Sequence, residues 1–189
     1  AELRGDTIPK SMTKADYAEY RFESALAEED DFDMLVMGRT QGKGCYCYVN
    51  GVLKTLLDKY IGAYRYVVID NEAGMEHIAR GTLPHVDALL LVSDCSRRGV
   101  QAVARIAEMV RELDLKPGLM KLIINRAPGG VLSDGVREEI EAHHLELAGV
   151  LPQDDAVYEA DCDGKPSSKI PDASPVKQAL HGIMQDLSL

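Results

Sequence analysis

The chain has 189 residues, 46% of them apolar and 28% charged, and a formal net charge of −10. That apolar share excludes disorder as the main state, and the length suits one domain. The acidic balance argues against a nucleic-acid groove, which needs clustered Lys and Arg. No apolar run of about 18 residues exists to span a membrane, so neither nucleic acid nor membrane is an expected partner.

The first residues, Ala1 to Asp6, carry no apolar stretch of the secretory kind. Residues 13–29 read as a helix whose end is marked by the acidic run Glu28-Glu29-Asp30-Asp31, since carboxylates disfavour a helix C-terminus. Phe32 to Met37 reads as a strand, and residues 47–60 as a second helix. Tyr66–Ile69, Ala88–Val92, Lys121–Ile124 and Leu147–Leu151 follow as further strands. All are nearly continuous in Val, Ile and Leu, which is the pattern of parallel strands covered on both faces. Between them, Val100, Val103, Ala104, Ala107 and Val110 repeat at helical spacing, and Lys116-Pro117-Gly118 ends that helix. Ser133 is a candidate cap for a helix running to His144, residues 161–174 read as an irregular loop, and Pro175 to Gln185 as a last helix. No repeat period of about 20–50 residues is present. The expected fold is a single α/β domain over 1–189, a doubly wound and mainly parallel sheet with helices on both faces.

In such sheets ligands bind beyond the carboxyl ends of the strands. Tyr66-Val67-Val68-Ile69-Asp70 has the form of a Walker B strand, whose Asp can hold Mg²⁺ beside substrate phosphates. Ala73-Gly74 then makes an open turn whose Gly74 N–H can meet a terminal phosphate oxygen. Buried strands also end in Asp simply to turn or to cap a helix. Asn125, before Arg126, offers both a donor and an acceptor to a purine edge, though Asn also closes turns. Pro152-Gln153 can form a stiff loop over a base. Cys95 follows the strand end Ser93-Asp94 and has no assigned role. The G-x-x-x-x-G-K-[ST] loop that wraps a β-phosphate does not occur: Gly42-Lys43 precedes Gly44, and Gly164-Lys165 precedes Pro166.

Four cysteines are too few for a disulfide scaffold, so a reduced, cytoplasmic setting is expected. Cys45 and Cys47, one residue apart, cannot readily bond each other. As thiolates they supply two of the four positions of a tetrahedral metal site, and the same pair from a second copy across a two-fold axis completes it. The alternative is that both are small buried apolar residues.

Cys45-Tyr46-Cys47, followed by Val67-Val68-Ile69-Asp70-Asn71-Glu72-Ala73-Gly74-Met75-Glu76-His77, Arg80-Gly81-Thr82 and Ile124-Asn125-Arg126, resembles the CooC-type accessory ATPases. These nickel-insertion proteins for carbon monoxide dehydrogenase belong to the MinD/ParA-like branch of P-loop NTPases. The resemblance implies ATP or ADP with Mg²⁺ as cofactors. Asp70 becomes the Mg²⁺-linked catalytic acid and Gly74 the switch glycine. Asn125, Arg126, Pro152 and Gln153 become nucleotide-binding. It implies Ni²⁺ or Zn²⁺ on Cys45 and Cys47 at a homodimer interface, with carbon monoxide dehydrogenase as client. The family's first strand and lysine-bearing loop are not found, and the first residue is not Met. The expectation is therefore an N-terminally truncated chain, inactive as an ATPase, with an altered sheet or strand pairing between molecules. Two other classes compete: a non-catalytic metal-binding dimer module, and a partition-type ATPase relative with incidental cysteines.

Overall fold

The computed structural model of the chain describes residues 9, 11–36, 55, 59–71 and 86–189. The described residues up to 71 belong to one compact unit and those from 86 onwards to another.

In the first unit, helix α1 spans Lys14–Glu23. Thr13 starts it: its hydroxyl accepts the Asp16 N–H at 3.2 Å while the Asp16 carboxylate accepts the Thr13 N–H at 3.1 Å. This reciprocal box satisfies donors that a helix start leaves open. Ala18 and Phe22, four residues apart, are buried, and the Phe22 ring stacks on Tyr60 with centroids 5.1 Å apart. The helix ends at Glu23, earlier than the sequence pattern predicts, with the Ser24 hydroxyl donating to the Tyr20 carbonyl at 2.6 Å. Strands β1 (Leu26–Glu28) and β2 (Asp33–Leu35) then form an antiparallel hairpin, Leu26 facing Leu35 and Glu28 facing Asp33. The Glu29 N–H bonds the Phe32 carbonyl at 3.0 Å, so Asp30 and Asp31 make the turn. The acidic run is thus a hairpin tip rather than a helix end. Its charges stay in water, and a partner so near in sequence costs little loop-closure entropy. The expected strand from Phe32 therefore pairs locally, not in the parallel sheet.

A second difference concerns Tyr66–Ile69. Residues 66–71 are assigned to no strand, and Val68 is 92% exposed. The run has strand composition but no ladder partner among the described residues.

The second unit carries the parallel sheet. Its elements are β3 (Ala88–Asp94), α2 (Arg97–Glu112), β4 (Leu119–Ala127), α3 (Asp134–Ala142), β5 (Leu147–Pro152), α4 (Asp155–Cys162) and α5 (Pro175–Asp186). The strand order is β3-β4-β5, parallel throughout. Alternate side chains leave opposite faces. Leu91, Leu122 and Ile124 pack with Val100, Ala104 and Ala107 of α2 and with Val136 and Ile140 of α3. Ile123 and Leu151 pack with Ile183 of α5, flanked by Leu90, Ala148 and Ala179. Helices therefore cover both faces, which is why these strands are apolar without alternation.

Two close approaches depend on glycine. A Cβ on Gly149 would lie 2.5 Å from Cγ1 and Cδ1 of Ile183, so the bare Cα lets α5 settle on β5. A Cβ on Gly99 would lie 2.2 Å from Asp94 Oδ1, so the start of α2 can crowd the end of β3. Helix α4, absent from the sequence expectation, buries no residue fully and rests on its cap instead. Among the described residues no helix is long and apolar enough to cross a membrane.

Candidate functional site

Three successive strand ends meet at the carboxyl edge of the second unit. Asp94 of β3 stands opposite Asn125 of β4, and Ala127 of β4 opposite Pro152 of β5. Between Ile124 and Ala127 the register slips. Arg126 sits in that slip with φ of 57°, a left-handed conformation uncommon for a long side chain. The slip is held from both sides. The Asn125 Oδ1 accepts the Arg126 N–H at 2.9 Å, and the Cys95 thiol lies 3.5 Å from the Arg126 carbonyl. The Gln153 N–H donates to the Ala127 carbonyl at 2.9 Å and ties β5 to β4.

These bonds decide which polar atoms face outward. The oxygen of Asn125 is used, and its NH₂ has no protein partner among the described residues. Gln153 is exposed, and its side-chain amide has none either. The Asn125 NH₂ and the whole Gln153 amide, at neighbouring strand ends, can offer donors and an acceptor to one flat heterocycle.

The flanking carboxylates are spent on structure. Asp94 Oδ1 accepts the Ser96 hydroxyl at 2.6 Å and the Ser96 N–H at 3.0 Å, and these bonds hold its carboxyl below the usual range. Ser96 in turn caps α2 by accepting the Gly99 N–H at 3.0 Å. Asp154 accepts the Ser174 hydroxyl and the Ala156 and Val176 N–H groups, and its carboxyl is held low chiefly by Ser174. Behind the edge, buried Glu139 joins α3 to α2. Its Oε2 accepts Nε and a terminal nitrogen of Arg97 at 2.9 and 2.7 Å, and its Oε1 accepts Gln101 at 2.8 Å and lies 3.2 Å from His143 Nε2. Hydrogen bonds from Gln101 and then Arg97 hold the Glu139 carboxyl low.

No protein-family model matches the chain. An uncharacterised ATP-binding protein of Methanocaldococcus jannaschii is 35% identical over 184 residues, covering 96% of this chain and 72% of that protein. The chain belongs to the family of that ATP-binding protein, and its fold is that of the MinD and ParA P-loop proteins. The carbon monoxide dehydrogenase accessory protein CooC of Rhodospirillum rubrum is 32% identical over 147 residues, which is 75% of this chain and 54% of CooC. The chain thus aligns with about half the length of that relative. Among solved structures, the septum site-determining protein MinD of Pyrococcus horikoshii, complexed with Mg-ADP, superposes with a TM-score of 0.68 at 17% identity, covering 98% of this chain and 76% of that one. That likeness shows the fold.

The sequence-predicted residues separate as follows. Asn125, Arg126, Pro152 and Gln153 come together at one edge of the sheet. Asp70 belongs to the first unit, exposed in the unpaired stretch 66–71, and no hydrogen bond or ion pair engages its carboxylate among the described residues. Gly74, Cys45 and Cys47 lie outside the described residues. Among the described residues, no group of three or more His, Cys, Asp or Glu is arranged to hold a metal ion. Sequence reasoning left Asp94 without a role and missed Asp154. Both stand at strand ends, as Asp70 was expected to, but Asp94 is bonded to Ser96, the cap of α2, and Asp154 caps α4.

Proposed function

We propose that the chain acts in nucleotide-dependent metal delivery of the CooC type. The carrying observation is a joint one: 32% identity to a carbon monoxide dehydrogenase accessory protein in a chain that holds both Cys45-Tyr46-Cys47 and Asp70-Asn71-Glu72-Ala73-Gly74. The Asn125 NH₂ and the Gln153 side-chain amide, both without a protein partner among the described residues, fit the edge of a purine, with Pro152 stiffening the turn and Arg126 beside it. ATP or ADP would occupy that edge. Asp70, whose carboxylate has no partner among the described residues, would hold Mg²⁺, which neutralises phosphate charge, and Gly74 would meet the terminal phosphate. These 189 residues contain no G-x-x-x-x-G-K-[ST] sequence, so they are expected to show no ATPase activity by themselves.

The metal is cargo. Cys45 and Cys47 of two copies would share one Ni²⁺ or Zn²⁺ with four sulfur ligands, and carbon monoxide dehydrogenase would be the recipient. Titration of the purified chain with Ni²⁺ and Zn²⁺ tests this. The expected result is one ion per two chains, lost in Cys45→Ser and in Cys47→Ser. Metal binding by both variants equal to the parent overturns the delivery role and leaves a partition-type relative with incidental cysteines.

A further inference from the structure

Asp154 follows Gln153 directly, and its two oxygens serve two different helices. Oδ1 accepts the Ala156 N–H at 2.9 Å and caps α4. Oδ2 accepts the Ser174 hydroxyl and lies 3.4 Å from the Val176 N–H, in the first turn of α5. Ser174 occupies the cap position of α5 yet makes no side-chain cap bond of its own there. It is buried and spends its hydroxyl on Asp154. Capping α4 needs only one oxygen. The second reaches a helix start twenty residues further on, which nothing in the local chain requires.

The consequence falls on Gln153. On one side its N–H is fastened to Ala127 at the end of β4. On the other, the next residue is fastened to the start of α5, and α5 is seated on β5 through Ile183 over Gly149. The exposed Gln153 side chain is therefore carried between two anchors. We infer that Asp154 is a positioning residue that clamps the Pro152–Gln153 turn to the start of α5, so that the base-contacting edge and the C-terminal helix move as one piece. This rests on the proposed contact of Asn125 and Gln153 with a purine base. By linkage, whatever tightens that turn also tightens α5, and displacement of α5 loosens the base contact.

Asp154→Ser separates the two duties, because serine still caps α4 but is too short to reach Ser174 and Val176. Ser174→Ala removes one bond of the clamp and keeps the test open if the first variant folds poorly. Backbone ¹⁵N relaxation on the full chain reads the turn, and titration with adenosine, against guanosine, reads the base edge. In the parent, Gln153 is expected to have an order parameter near the rigid value of about 0.85, falling below about 0.6 in Asp154→Ser while Ala156 stays rigid. Ser174→Ala should shift Gln153 the same way by less. Adenosine should move the Asn125 and Gln153 amide signals of the parent, and the variant should bind it at least about tenfold more weakly, with less preference over guanosine. A rigid Gln153 in both variants overturns the inference whatever adenosine does. So does unchanged adenosine binding by a variant whose turn has loosened. If the turn loosens but adenosine moves no signal in the parent, the base-contact reading fails while the clamp itself stands.

Discussion

Leu122-Ile123-Ile124-Asn125 and Val67-Val68-Ile69-Asp70 follow the same pattern: three apolar side chains, then a polar one. Ile124 is 0% exposed and Val68 is 92% exposed. The first run lies between two parallel neighbours, with α2 and α3 over one face and α5 over the other. The second has no ladder partner among the described residues. Apolar composition gives a segment the capacity to be a strand. Partners that take its N–H and C=O groups, and side chains that take its faces, decide whether the capacity is used.

Three substitutions probe that contrast. Ile124→Ala removes a fully buried side chain and should lower unfolding stability by about 2–5 kcal/mol, read as a drop in the urea midpoint. Val68→Ala should change it by no more than about 0.5 kcal/mol. Equal costs would break the comparison. Gly149→Ala tests the cover rather than the ladder. The new methyl collides with Ile183, and the expected cost is about 1–3 kcal/mol. Combined with Ile183→Ala the two costs should fall well short of their sum, because one side chain causes both.

A further effect is electrostatic. Glu139 and Asp154 have folded-state carboxyls held below their ordinary values of 4.5 and 3.8. Their contribution is therefore complete above those values and is lost as pH falls through the lower folded values. Unfolding titrations should show stability declining on acidification below about pH 4.5, and Glu139→Gln should flatten that slope without affecting stability near neutrality as much as Ile124→Ala does. An unchanged acid slope would show that the Arg97–Gln101–His143 cluster does not hold the carboxylate.

The elements that sequence made legible are those that bury a continuous apolar run or a 3.6-residue stripe. β3, β4, β5, α2, α3 and α5 all do so, within a few residues of their expected bounds. The hairpin was not legible, because Leu26–Glu28 and Asp33–Leu35 are three residues each and mostly exposed. Helix α4 was missed for a related reason. Asp155–Cys162 buries no residue fully, so no stripe announces it, and its cap is also the clamp on α5. The strand-end rule was enough to place Asn125, Pro152 and Gln153 at one edge of the sheet, since it depends on position alone. The role of Asp154 depends on Ser174, twenty residues away, and a contact at that separation leaves no mark on the local pattern. Asp70 shows the converse limit: its motif is legible, but its stretch carries no ladder that fixes it as a strand end.

The central claim is that the sulfurs on either side of Tyr46 share an ion with a second copy of the chain. Sedimentation velocity with and without half an equivalent of Ni²⁺ or Zn²⁺ tests it most directly. The account predicts that metal converts the parent to a particle of twice the monomer mass, while Cys45→Ser and Cys47→Ser keep the mass they have without metal. A parent whose mass does not respond to either ion, or Cys45→Ser and Cys47→Ser variants that pair as the parent does, would contradict it.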